Sequence, residues 1–163
     1  MGHIDLRPIE DDDADAIFEM MRDPAAVELA AFTADDPDDR AAFDAWLARV
    51  RGSADADTHV VTEDGGFAGT IASFAVEGDR EVSYWIARHA WGRGVASEAL
   101  RLLVAREPTR PLFARVAAHN IGSIAVLERN GFTEVSRMTS SAPGVKRDVE
   151  EIVYVLMPAL DGV

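Results

Sequence analysis

Cysteine is absent and lysine occurs once, at Lys146. Without a thiol there is no disulfide, no thiolate nucleophile and no cysteine-ligated metal. The histidines His3, His59, His89 and His119 are scattered, with no i, i+4 pair, so no zinc site or other metal is expected. No apolar run approaches bilayer length. The longest, Ile152 to Met157 and on to Leu160, falls far short. The opening MGHIDLRPIE has no apolar signal core, and Leu6 stands where myristoylation needs Ser or Thr. These absences set the expectation of a cytoplasmic protein with no membrane partner.

What is present is a chain of 163 residues, 48% of them apolar, which excludes a disordered composition and suits one domain over 1–163. Acidic side chains number 29 against 16 basic ones, a formal charge of −13. The excess lies entirely in residues 1–65, with 18 acids and 5 arginines, whereas residues 66–163 balance at zero. Within 85–130 seven arginines face three glutamates, +4. Nucleic-acid binding is disfavoured, since phosphate neutralisation needs net positive charge. The basic segment could hold a small anion, and the acidic half could attract a cation or simply confer solubility.

Periodicity divides the chain without repeats or linkers. Ile4–Ile9 reads as a strand. Ala14, Ile17, Phe18 and Met21 mark a helix over Asp13–Arg22, ended by Pro24. An Asp-rich loop follows, then a second helix through Phe43, Trp46, Leu47 and Val50 that stops before Gly52. Thr58–Thr62, Phe67–Val76 and Glu81–Ile86 are strands joined by Gly-containing turns. Val95–Arg106 is a helix, Leu112–Ala117 a strand, and Asn120–Asn130 a helix with Asn120 as N-cap and Gly131 at its left-handed end. Phe132–Met138 and Val149–Met157 are final strands around a polar loop, Thr139–Lys146. The order β-α-α-β-β-β-α-β-α-β-β predicts an α/β (α+β mixed sheet) fold and not a Rossmann array, because three strands run together without helices.

Chemistry concentrates in Tyr84-Trp85-Ile86-Ala87-Arg88-His89-Ala90-Trp91-Gly92-Arg93-Gly94-Val95-Ala96-Ser97-Glu98. A strand leads through a short loop into a helix start. Free N–H groups, the helix dipole, Gly92, Gly94 and Arg93 together describe a phosphate cradle; the same glycines also serve merely to shape a turn. No Gly-Lys-Ser/Thr follows, which excludes a P-loop, and Ser97 occupies the third place of a dinucleotide fingerprint.

The blocks Glu81-Val82-Ser83-Tyr84-Trp85-Ile86 and Trp91-Gly92-Arg93-Gly94-Val95-Ala96-Ser97-Glu98-Ala99-Leu100 resemble the GNAT superfamily of acyl-CoA-dependent N-acyltransferases. So does a second region: Asn120, Ser123, and Leu127-Glu128-Arg129-Asn130-Gly131-Phe132. Trp91, where the wider superfamily has Gln or Arg, resembles the ribosomal-protein (Rim-type) N-acetyltransferase branch. The resemblance implies acetyl-CoA as co-substrate and a GNAT-like fold in which the fourth and fifth strands splay apart around the thioester. It implies that backbone N–H groups from Gly92, Arg93, Gly94, Val95, Ala96 and Ser97 hold the pyrophosphate. The backbone of Ile86 to Arg88 would pair with pantetheine, Asn120 would reach the pantetheine arm, and Arg88 and Arg129 would meet the adenosine phosphates.

Many superfamily members carry a Tyr as proton donor where this chain has Leu127. Ser123, one helical turn earlier on the same face, is the expected acid in its place, as proposed for Rim-type relatives, with Tyr84 as a fallback. Glu81 is the expected base, Trp85–Ile86 the source of an N–H for the carbonyl oxygen, and Glu98 a packing residue. The acceptor site is expected from the two early helices and the 139–147 loop. Their acids, including Asp35, Asp36, Asp38 and Asp39, predict a cationic amine acceptor, on a small molecule or a protein N-terminus. Absence of Cys favours direct attack without an acyl-enzyme. A homodimer is compatible with the family. The rival expectations are a non-catalytic acyl-CoA sensor with the same fold, and an acidic interaction protein without cofactor.

Overall fold

Alternation along the strands decides which side of the sheet each residue faces. In the computed structural model, which describes residues 1–160, the strands are β1 (Ile4–Pro8), β2 (Ala56–Glu63), β3 (Gly66–Val76), β4 (Asp79–Ile86), β5 (Leu112–Ala117), β6 (Thr133–Ala142) and β7 (Arg147–Leu156). Residues 161–163 of the expected 1–163 unit lie outside the described residues. The helices are α1 (Ala14–Arg22), α2 (Pro24–Ala30), α3 (Arg40–Gly52), α4 (Val95–Arg106) and α5 (Ile121–Arg129). The strands form one mixed sheet in the order β1-β2-β3-β4-β5-β7-β6, antiparallel except for β4 beside β5. This is the expected α/β, α+β mixed-sheet fold.

Each face of the sheet carries its own core. Val82, Leu112, Ala114, Val116, Ile152 and Tyr154 pack with Ala99, Leu100 and Leu103 of α4 and Val126 and Leu127 of α5. On the other face Ile17 and Phe18 of α1 meet Phe43 and Leu47 of α3, with Phe67 and Trp85 packed against them. The period-2 pattern of β4 thus sends Val82, Tyr84 and Ile86 to one core and Trp85 to the other.

Two expectations are corrected. The segment after Pro24, read as loop, is a third early helix, α2, so the order is β-α-α-α-β-β-β-α-β-α-β-β. Pro24 opens it, because a first-turn proline loses no helix hydrogen bond, and the Asp23 side chain accepts from the Ala25 N–H at 3.1 Å. The polar loop Thr139–Lys146 shrinks to a turn, because β6 continues to Ala142 in register with β7. That turn closes onto the end of α2, where the Gly144 N–H donates to the Ala31 carbonyl at 3.0 Å.

The site is opened by a break in pairing. β4 and β5 pair only over Arg80–Val82 and Leu112–Ala114. Beyond Val82 β5 no longer pairs with β4, while all of β5 stays paired with β7. The two central strands therefore splay, as the resemblance implies.

Candidate active site

The splay leads into a cavity of about 600 Å³ running from the start of α4 to α2. Its floor is the free edge of β4, one wall is the strand–loop–helix segment through Trp91 to Ser97, and the other is the start of α5 with Asn120 and Ser123.

The first wall is shaped by glycine. Gly92 and Gly94 take φ of 73° and 80°, a region that costs side-chain-bearing residues energy, and a Cβ at Gly92 would project into open space. Gly94 caps α4 without a side chain. The Glu98 N–H reaches the Gly94 carbonyl at 3.1 Å. The N–H groups of Val95, Ala96 and Ser97 precede that bond, and among the described residues they meet no acceptor. Three aligned donors at the positive end of a helix dipole suit a pyrophosphate. Asn130 fastens this helix start to α5, its Nδ2 donating to the Ser97 carbonyl at 3.2 Å and to the Val126 carbonyl at 3.0 Å.

Other parts of the loop are tied elsewhere. The Trp91 indole N–H donates to the Ile86 carbonyl at 2.6 Å, folding the loop back on β4. The Ala87 N–H is spent on the Ala68 carbonyl of β3, at 2.8 Å. By alternation, the N–H of Ile86 points away from β3 and toward the splay. Arg93 turns outward, 2.7 Å from Glu63, and holds that carboxyl below its ordinary range. Arg88 forms a two-pronged pair with Asp23 at the start of α2 and lowers that carboxyl too. Neither arginine side chain lines the cavity. Arg129 does, as do Ile86, Trp91, Gly92, Gly94, Val95, Ala96, Ser97, Asn120 and Ser123.

At the other wall the Asn120 side chain caps α5 by accepting from the Ser123 N–H at 3.2 Å. This sets the Ser123 hydroxyl 2.7 Å from the Tyr84 hydroxyl, which also donates to the Ser123 carbonyl at 3.2 Å. Burial pushes the Tyr84 phenol up to about 12. Leu127, where many relatives carry Tyr, is buried in the core. The hydroxyl pair joins positions 39 residues apart. Sequence reading picked both residues but not their contact, and no local signal announces it.

Glu81 lines neither this cavity nor a second one. It is 8% exposed, and its Oε1 accepts from Arg115 Nε at 3.0 Å; Arg115 also meets Glu151 at 3.3 Å. Glu98 pairs with Arg101 at 2.6 Å. His119 lines the cavity, its Nε2 2.6 Å from the Glu28 carbonyl. The acids thought to attract a cation are engaged on the surface. Asp35 pairs with Lys146, Asp38 with Arg22, Asp39 caps α3, and Asp36 accepts from the Asp38 N–H. Among the described residues no carboxylate lines either cavity.

The model of the acetyltransferase (GNAT) domain matches residues 3–133. The chain belongs to the GNAT family. This GNAT protein is therefore an N-acyltransferase with acetyl-CoA as co-substrate. Among solved structures, the ribosomal-protein-alanine N-acetyltransferase from Brucella melitensis is 24% identical, with a TM-score of 0.75 over 94% of this chain and 99% of that one. The spermidine N-acetyltransferase from Vibrio cholerae, in complex with CoA and spermine, is 16% identical, with a TM-score of 0.75 over 93% and 95%. The microcin C7 self-immunity acetyltransferase MccE, in complex with acetyl-CoA and AMP, is 12% identical, with a TM-score of 0.80 over 95% and 92%. These GNAT likenesses are likenesses of fold, and the Rim-type branch is one neighbour among several. No curated protein matches the sequence.

Proposed function

We propose that the protein moves an acetyl group from acetyl-CoA to a primary amine by direct attack, with Ser123 as proton donor. One observation carries this reading: the unpaired N–H groups at the start of α4 and the Ser123–Tyr84 hydroxyl pair face the same cavity. Two features favour the Rim-type branch, the Trp91 loop and Ser123, and they speak to the cofactor and the proton donor, not to the acceptor.

Acetyl-CoA supplies the acetyl group as a thioester. The donors of Val95, Ala96 and Ser97 hold its pyrophosphate, and Arg129, with no carboxylate partner among the described residues, meets its phosphates. Asn120 orients the pantetheine arm. The Ile86 N–H faces the carbonyl oxygen, where negative charge develops. Ser123 would give its proton to the departing sulfur and take one from Tyr84, and the phenolate so left, disfavoured by burial, would regain a proton from water. The amine must lose a proton, since its ammonium form has a pKa of about 10. Glu81, on the face of β4 that also presents Ser83 and Trp85, takes that proton through water, its carboxylate oriented by Arg115.

The test is CoA release across a panel of amines. Ser123→Ala should lower kcat about 100-fold, the lower range for a positioned acid, and leave KM for acetyl-CoA within about twofold. Unchanged kcat removes Ser123 from the chemistry. If acetyl-CoA raises the melting temperature but no amine releases CoA, the second reading, a non-catalytic acyl-CoA sensor, takes over.

A further inference from the structure

A second cavity, of about 440 Å³, lies on the α1 and α3 side of the sheet and meets the first at Tyr84 and Trp85. Its walls are largely apolar, with Met21, Trp46, Phe74 and Trp85 prominent. Its floor crosses three strands, from Ser83 on β4 through Ala72 on β3 to Thr58 on β2, which face one another in register. Two strand spacings separate its ends, about 10 Å.

Charge along this cavity has one sign. Among the described residues Arg49 is the sole charged side chain lining it. Of the fifteen arginines, twelve lie within 4.0 Å of a carboxylate, and Arg110 donates to backbone carbonyls. The two left without a partner among the described residues are Arg129, lining the first cavity, and Arg49, lining the second. In a chain of charge −13, the guanidinium groups without a partner among the described residues thus both lie at the cavities. The Thr58 hydroxyl, buried in the second cavity's wall, also finds no partner among the described residues.

We infer that the second cavity is the acceptor pocket and selects an amine that carries a carboxylate at the far end of an apolar body. The amine end lies at Tyr84 and Trp85, the apolar body against Trp46 and Phe74, and the carboxylate at Arg49 with the Thr58 hydroxyl as second donor. This rests on the acetyl-transfer reading above and differs from the expectation that acids such as Asp35, Asp36, Asp38 and Asp39 capture a cationic amine, since those four are engaged by Lys146, Arg22 or backbone N–H groups.

Three probes of one shape test it: 4-(aminomethyl)benzoate, benzylamine and 1,4-bis(aminomethyl)benzene. Transfer is read as CoA release, and binding as quenching of tryptophan fluorescence in CoA-loaded protein. The carboxylate probe should exceed benzylamine in kcat/KM by about tenfold, the worth of one charge-assisted pair, with the diamine poorest. Arg49→Gln should bring that ratio close to one at unchanged KM for acetyl-CoA, and Arg49→Lys should restore part of it. Equal or better use of benzylamine or the diamine overturns the inference, as does a ratio that survives Arg49→Gln. If neither these three nor any amine of the wider panel releases CoA, the transfer reading fails separately. Quenching by the carboxylate probe alone, lost in Arg49→Gln, then still supports the pocket, and absent or indiscriminate quenching overturns it.

Discussion

At the scale of single residues, the hydroxyl pair determines the expected pH behaviour. Tyr84 sits between the apolar core and the cavity, where a phenolate lacks solvation, so its pKa rises to about 12 and the pair stays protonated at physiological pH. The rise in kcat with pH should therefore report only the amine's loss of its proton, with no falling limb below pH 10. Tyr84→Phe keeps the ring and removes the partner of Ser123. It should lower kcat about tenfold, less than loss of the proton donor itself, without moving the rising limb. A falling limb near pH 8 or 9 that disappears in Tyr84→Phe would show the phenol ionising and refute the assignment. Ser123 was legible from its place in the Asn120–Phe132 block. Tyr84 was legible only as a fallback, because its alternation with Val82 and Ile86 reads more readily as core, and its contact with Ser123 joins positions 39 residues apart.

At the scale of elements, legibility follows burial. Val95–Arg106 and Leu112–Ala117 match their expected bounds, since each presents a regular apolar face to the larger core. β6 was cut short because it is an edge strand, exposed over Thr133–Thr139, and leaves no hydrophobic pattern to read. α2 was lost to its proline, which ends α1 and begins the next helix within three residues. The start of α4 joins two independent constraints, a left-handed backbone and a donor-lined opening. Gly94→Ala tests both. Its φ of 80° should cost about 1 kcal/mol in urea unfolding, the left-handed penalty of a single residue. The displaced cradle should raise KM for acetyl-CoA more than it lowers kcat. A normal KM with the full stability loss would mean that the glycine serves the turn alone.

At the scale of the molecule, net charge counts acids without recording which are paired. The cluster joining the sheet edge to the helix layer shows where one such acid is spent. Asp13, ahead of α1, accepts from Arg7 of β1 through both oxygens at 2.8 Å and from the Glu10 N–H at 2.7 Å. Arg51 of α3 reaches the same segment through Asp11. Arg7 holds the Asp13 carboxyl below its ordinary range, against the opposing effect of burial. A carboxyl with a depressed folded pKa stabilises fully above its unfolded pKa of about 4, and that contribution drains as pH falls through the folded value. Asp13→Asn should thus be less stable than the parent by about 1 kcal/mol at pH 7, as for a part-buried, charge-assisted pair. The two unfolding curves should begin to converge as pH falls below about 4 and meet only below the depressed folded value, where the parent carboxyl is itself neutralised. A difference that holds constant from pH 7 to the acid limb would place the stabilisation in packing or in the Glu10 turn, and not in the charge that ties β1 to α1.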